Sequence, residues 1–158
     1  MGRMKVTREK ERENAGAGTL PIVMPGILDI PADGGQPSLL GGVCPSCGVR
    51  YFPRPSRCRG CLGPVEESPV GAKGVVYSFT VIRIRAPLGL PEPYAIGYVD
   101  LEESALRVFC LLDPQAVEMF RIGIPVRLAV GALGRDARGA PCLRPYFTPS
   151  VPGPRGAA

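Results

Sequence analysis

The 158-residue chain contains no histidine. That removes the side chain most often used as a general base near neutral pH. It also removes the usual activator of a serine or cysteine nucleophile, and the ligand that commonly accompanies an open, catalytic zinc position. Lysine is scarce as well. Of 19 basic residues, 16 are arginine, and only Lys73 lies beyond the N-terminal arm. No lysine-rich stripe is therefore available to track a nucleic-acid backbone. No run of eighteen apolar residues occurs, so no membrane span is expected. Residues 1–14, "MGRMKVTREKEREN", are charged but lead into no apolar signal core. The expected location is the cytoplasm, where paired Cys-x-x-Cys knuckles more often bind metal than form disulfides.

Glycine (21) and proline (19) are abundant. They disfavour long helices and favour short strands, turns and tails. The formal charge is +5. Such a balance fits nucleic acid, phosphate-bearing ligands, an acidic partner, or solubility alone.

Residues 1–37 read as a loose arm, helical over 6–13, followed by an extended segment that needs a surface to lie on, either this chain's own or a partner's. Residues 38–68 hold the cysteine module. Residues 69–149 carry five strands, at 74–86, 93–101, 105–112, 124–130 and 140–149. One or two helical turns at 113–120 begin on an Asp-Pro pair. Residues 150–158 read as a flexible tail. The fold class is mainly β, and five short strands with a short helix between the third and fourth point to a small OB-type barrel.

The module reads "CPSCGVRYFPRPSRCRGC", with Cys44, Cys47, Cys58 and Cys61 as two knuckles ten residues apart. Each Cys-x-x-Cys turn lets two sulfurs converge, and two such turns facing each other complete a tetrahedral Zn²⁺ shell. Gly48 follows the first knuckle, where backbone freedom is useful. A Cys₄ shell is closed, so the zinc is expected to be structural and to stabilise a module too small for a core of its own. Cys110 and Cys142 read as small buried hydrophobes. Glu66–Glu67 and Glu102–Glu103 are neighbours in sequence only. On a strand they point to opposite faces and make no acid–base dyad. "VGALGRDARG" lacks the Lys-Ser/Thr ending of a phosphate loop and reads as a turn. No residue is assigned a catalytic role.

In chain order, "LLGGVCPSCGVRYFPRPSRCRGC", "GVVYSFTVIR", "PYAIGYVDLEE", "FRIGIPVRL" and "LRPYF" resemble the zinc-ribbon plus OB-fold proteins that accompany acyl-CoA enzymes. The resemblance spans residues 39–147 and is strongest to companions of thiolases, a subfamily that includes the small subunit of benzoylsuccinyl-CoA thiolase. It implies an N-terminal arm or helix, a rubredoxin-like ribbon holding one zinc, and a C-terminal five-stranded OB barrel. It also implies a thiolase-like catalytic subunit, two copies of each in the heteromer, that supplies the nucleophile and base while the complex binds the CoA thioester. The chain departs from the family in the loop between knuckles. There Phe52-Pro53-Arg54-Pro55 replaces the commoner Phe-Pro-Pro-Arg, and Arg59 follows Cys58.

The expected function is thus a non-catalytic, zinc-binding subunit that packs on a thiolase and helps form or gate the CoA site. Arg50, Arg54, Arg57 and Arg59 crowd the ribbon, where they can meet CoA phosphates or acidic partner side chains, or form a solvated rim. The alternatives are a hydratase companion and a nucleic-acid-binding OB protein. The last would stack bases on Tyr77, Phe79, Tyr94, Tyr98, Phe109, Tyr146 and Phe147. Tyr77 and Phe79, two apart on one strand, are expected to share a face and fill the barrel.

Overall fold

The computed structural model describes residues 20–150. The expected helix at 6–13 lies outside them. The elements in order are β1 (Leu28–Asp29), β2 (Ser38–Val43), β3 (Arg50–Tyr51), β4 (Glu66–Gly71), β5 (Lys73–Ile82), β6 (Tyr94–Leu101), β7 (Arg107–Leu112), β8 (Pro125–Arg135) and β9 (Pro141–Pro149). Two 3₁₀ turns, Pro87–Gly89 and Pro114–Met119, complete them. Asp113 opens the second by accepting from the Gln115 amide, as its Asp-Pro signature predicts.

Strands β1 to β4 form one antiparallel sheet with β2 at its centre, paired to β1, β3 and β4. Strands β5-β6-β7-β9-β8 close into a barrel. The sequence rationale is direct. Buried Val76, Val99, Leu101, Val108, Leu112, Val126, Leu128 and Phe147 supply the interior. Most come from β-branched, alternating runs that suit a half-buried strand.

The extended segment before β1 lies on this chain's own surface. Ile22 bridges Leu143 of β9 in parallel, and Leu28 is buried opposite Leu39. Leu28, Leu39, Val70 and Ala72 join the barrel residues in one continuous core.

Three expectations are corrected in detail. β8 runs on to Arg135, so most of "VGALGRDARG" is strand, with a register shift between Ala132 and Arg135. Its true turn is residues 136–140, where Asp136 Oδ1 accepts from the Arg138 and Ala140 amides. β5 stops at Ile82, before "RIRAPLGLPEP" turns away. A bulge between Val76 and Ser78 also breaks the alternation of β5. Tyr77 is consequently half-exposed outside the barrel, while Phe79 packs inward against Phe120 at 6.3 Å.

Candidate functional site

The two knuckles fold alike. The Gly48 amide donates to the Cys44 carbonyl, and the Leu62 amide to the Cys58 carbonyl. The Cys44 amide donates to Val49, and the Cys58 amide to Gly63. Each turn ends on a left-handed residue, Gly48 at φ 73° and Leu62 at φ 61°. Glycine takes that conformation at no steric cost, whereas leucine is strained there.

This geometry converges the four sulfurs, all within 4.8 Å of one another. The Sγ separations are 3.4 Å for Cys44–Cys61, 3.5 Å for Cys47–Cys58 and 3.9 Å for Cys47–Cys61. A disulfide would require about 2.05 Å. A tetrahedron with Zn–S near 2.3 Å has edges of about 3.8 Å, which these distances bracket.

The local electrostatics also ask for a cation. The Tyr51 hydroxyl donates to Cys58 Sγ at 3.1 Å and, aided by the Cys61 and Gly60 amides, pulls that thiol down to about 6. The Val49 amide favours a Cys47 thiolate, but the Cys58 and Cys44 sulfurs outweigh it and push Cys47 up to about 12. Four sulfurs this close ionise together only around a positive charge. The set fits one metal ion with no coordination position left open.

Among the described residues, buried Cys44, Cys58 and Val65, with Tyr51 against them, are the only core around the sulfurs. The site therefore depends on its metal far more than on apolar packing.

The four arginines of this loop are exposed. Arg54 pairs with Glu67 at 3.6 Å, and Arg57 donates to the Leu62 carbonyl at 3.3 Å. The Arg50 and Arg59 guanidinium groups have no protein partner among the described residues. The Arg59 amide, in contrast, donates to the Tyr51 hydroxyl at 3.0 Å.

A second feature escaped the sequence. β7 meets β9 only through Leu112 and Phe147, with the Asp113 amide donating to the Phe147 carbonyl. The rest of that seam is open. An apolar pocket of about 410 Å³ lies there, walled by Leu39, Phe52, Ile96, Leu111, Leu128 and Phe147. Met24 and Phe109 at its rim are 55% and 58% exposed, which leaves the apolar surface open to contact. Phe109 also packs on exposed Tyr98, with ring centroids 5.3 Å apart. No local pattern announces this pocket, because its walls come from the arm, the ribbon sheet and four barrel strands.

The aromatic residues considered for base stacking are dispersed. Tyr94 and Phe147 are buried, and Phe79 faces inward. Tyr77 is covered by the Arg107 guanidinium, 3.2 Å above its ring. Only Tyr98 and Phe109 of this group stand largely free. Of the remaining thiols, Cys142 is fully buried, and burial pushes the half-buried Cys110 up to about 12.

Comparison with known proteins agrees with this architecture. The family model for the ChsH2 rubredoxin-like zinc ribbon domain matches residues 32–66, and that for the ChsH2 C-terminal OB-fold domain matches residues 67–131. A benzoylsuccinyl-CoA thiolase subunit BbsA from Thauera aromatica is 38% identical over 78% of this chain and 84% of its own length. The chain belongs to the ChsH2 family. A second BbsA, from Geobacter metallireducens, is 35% identical over 92% of this chain and 93% of that protein. A DUF35 domain-containing scaffold protein from Methanocaldococcus jannaschii is 30% identical over 62% and 71% of the two chains. Among solved structures, a chain of the Ltp2-ChsH2(DUF35) aldolase superposes with a TM-score of 0.59 at 26% identity, covering 72% of this ChsH2-family chain and 86% of that one. No helix among the described residues is long and apolar enough to cross a membrane.

Proposed function

We propose that this chain is the non-catalytic, zinc-binding subunit of an acyl-CoA-processing complex. Its partner is a thiolase-type enzyme that cleaves a 3-oxoacyl-CoA by thiolysis. Cys44, Cys47, Cys58 and Cys61 hold one structural Zn²⁺, which stabilises the ribbon and takes no part in the reaction. Thiolysis needs a nucleophilic thiolate, a base and an oxyanion site. Outside the cluster, this chain offers two thiols, both shielded. Burial pushes the Cys110 thiol up to about 12, which keeps it protonated at neutral pH. The catalytic groups therefore belong to the partner.

The observation that carries this reading is the apolar surface around the seam. Tyr98, Phe109 and Met24 are exposed beside an open apolar pocket. A surface of this kind fits contact with another protein. The names of the relatives, thiolase subunits and an aldolase complex, supply the class of partner. Arg50 and Arg59, free of internal pairing among the described residues, meet CoA phosphates in this proposal, in a heteromer with two copies of each subunit.

Co-expression with a thiolase-type catalytic subunit tests the proposal. A stable heteromer with thiolytic activity that neither chain shows alone is expected. Tyr98→Asp with Phe109→Asp should abolish co-elution while leaving zinc content at one per chain. Two proteins that elute separately, with no gain in activity on mixing, would refute it.

A further inference from the structure

The backbone passes from the sheet that carries the sulfurs into the barrel through a single residue, Ala72, between the end of β4 at Gly71 and the start of β5 at Lys73, while the arm at Ile22 and the Gln36 side chain, donating to the Leu128 carbonyl at 2.9 Å, also touch the barrel. We infer that Glu103 is a positioning residue whose carboxylate fixes the angle between sheet and barrel at this joint. Glu103 lies 31 residues downstream of Ala72, in the turn between β6 and β7. Its Oε1 accepts from the Ala72 amide at 3.1 Å, and its Oε2 from the Lys73 amide at 3.5 Å.

The other polar groups of the joint are held by the barrel as well. The Leu128 amide donates to the Ala72 carbonyl at 2.7 Å, and the Glu102 amide to the Lys73 carbonyl at 3.0 Å. Gly71 sits at φ 136°, and a Cβ there would overlap the Glu103 carboxylate. The joint thus has a left-handed glycine and a carboxylate occupying the space that any side chain would need. The pairing partner also shifts register here, between Leu39 and Leu40. An irregular sheet end leaves the backbone direction underdetermined, and a charged acceptor with two amide donors restores it.

The lever is long. β2 and β4 each run six residues from the joint, about 20 Å at 3.3 Å per residue. A rotation of about 10° at Ala72 therefore moves the sulfur cluster and its arginines by roughly 3.5 Å. The shared apolar core of Leu28, Leu39, Val70 and Ala72 keeps the sheet attached in any case. What Glu103 contributes is the fine angle, and with it the placing of Arg50 and Arg59 relative to the Tyr98–Phe109 face.

The consequence for a catalytic subunit rests on the function proposed above; the angle itself does not. The test uses the zinc-loaded full chain with Glu103→Ala and Glu103→Gln. Glutamine keeps one acceptor for the Ala72 amide; alanine keeps none. Residual dipolar couplings of backbone amides in β2 and β4 against those of β5 to β9 read the relative orientation in the isolated chain. Expected are one zinc per chain in both variants, a changed sheet-to-barrel alignment in Glu103→Ala, and its substantial recovery in Glu103→Gln. Affinity for the catalytic subunit should fall about tenfold in Glu103→Ala, the equivalent of one charge-assisted hydrogen bond. Unchanged alignment in Glu103→Ala would overturn the inference, as would an equal change in both variants. A changed alignment without any heteromer would uphold the joint and sink the proposed function instead.

Discussion

Replacing Cys58 with serine should separate the two structural halves of this protein. Cys58 is fully buried, and its sulfur gathers the Tyr51 hydroxyl at 3.1 Å and the Gly60 amide at 3.4 Å. A structural zinc in a small module contributes about 10–16 kcal/mol, so one thiolate of four accounts for roughly 3 kcal/mol. At 1.4 kcal/mol per decade, the variant should bind zinc about a hundredfold more weakly. Once the metal is lost, little holds the tip. Among the described residues, Val65 and Tyr51 are the side chains packed with the sulfurs, a gain of a few kcal/mol at most. The residues between β2 and β4 number about twenty, and ordering each costs about 1–2 kcal/mol. The main core, with Phe147, Leu112 and Leu128, is a separate cluster from the one around the sulfurs, so the barrel should remain folded. The assay is metal analysis after mild chelation together with an amide correlation spectrum. Signals from residues 44–64 should collapse toward random-coil positions while those of β5 to β9 stay dispersed. A variant that retains one zinc per chain under chelation would refute the ligand assignment. Loss of the whole spectrum at once would refute the independence of the barrel.

Three further outcomes follow from particular contacts. Leu62→Gly should stabilise the zinc-loaded ribbon by about 1 kcal/mol, because the left-handed leucine is relieved and its side chain, 71% exposed, gives up little packing; slower zinc release to a chelator would show it. Phe147→Ala should cost about 3–5 kcal/mol in urea unfolding, since its ring is fully buried where β9 meets both β7 and β8. Asp100 is held below the usual carboxylate range chiefly by its hydrogen bond from Arg107, at 2.7 Å. Its folded value being depressed, that stabilisation is present above the unfolded value near 3.9 and fades as pH falls through the lower, folded one. The stability gap between the native chain and Asp100→Asn should therefore close on acidification below about pH 4, and a gap that widened instead would contradict the pairing.

The cysteine site was legible because it is local. Two turns of four residues bring their own sulfurs together, and spacing alone states the chemistry. The alternating runs of β6 and β7 and the Asp113-Pro114 start were legible for the same reason. Tyr77 was not: alternation places it inside, and the bulge before Ser78 turns it out to meet Arg107 on β7. The length of β8 was hidden because glycine and charge mark turns in general, while pairing with β9 extends the strand through them. The arm's destination on Leu143, some 120 residues away, left no trace in its composition.

Sequence by itself determined the metal-binding chemistry, the strand content and the lack of an imidazole base, since each depends on residue type and on neighbours within a few positions. Tertiary structure alone decided which aromatic rings face outward, where an apolar pocket opens, and that a glutamate in one hairpin grips the backbone thirty residues earlier. Those features arise where distant segments meet, and their geometry is set by the closure of the barrel and the packing of the ribbon sheet upon it.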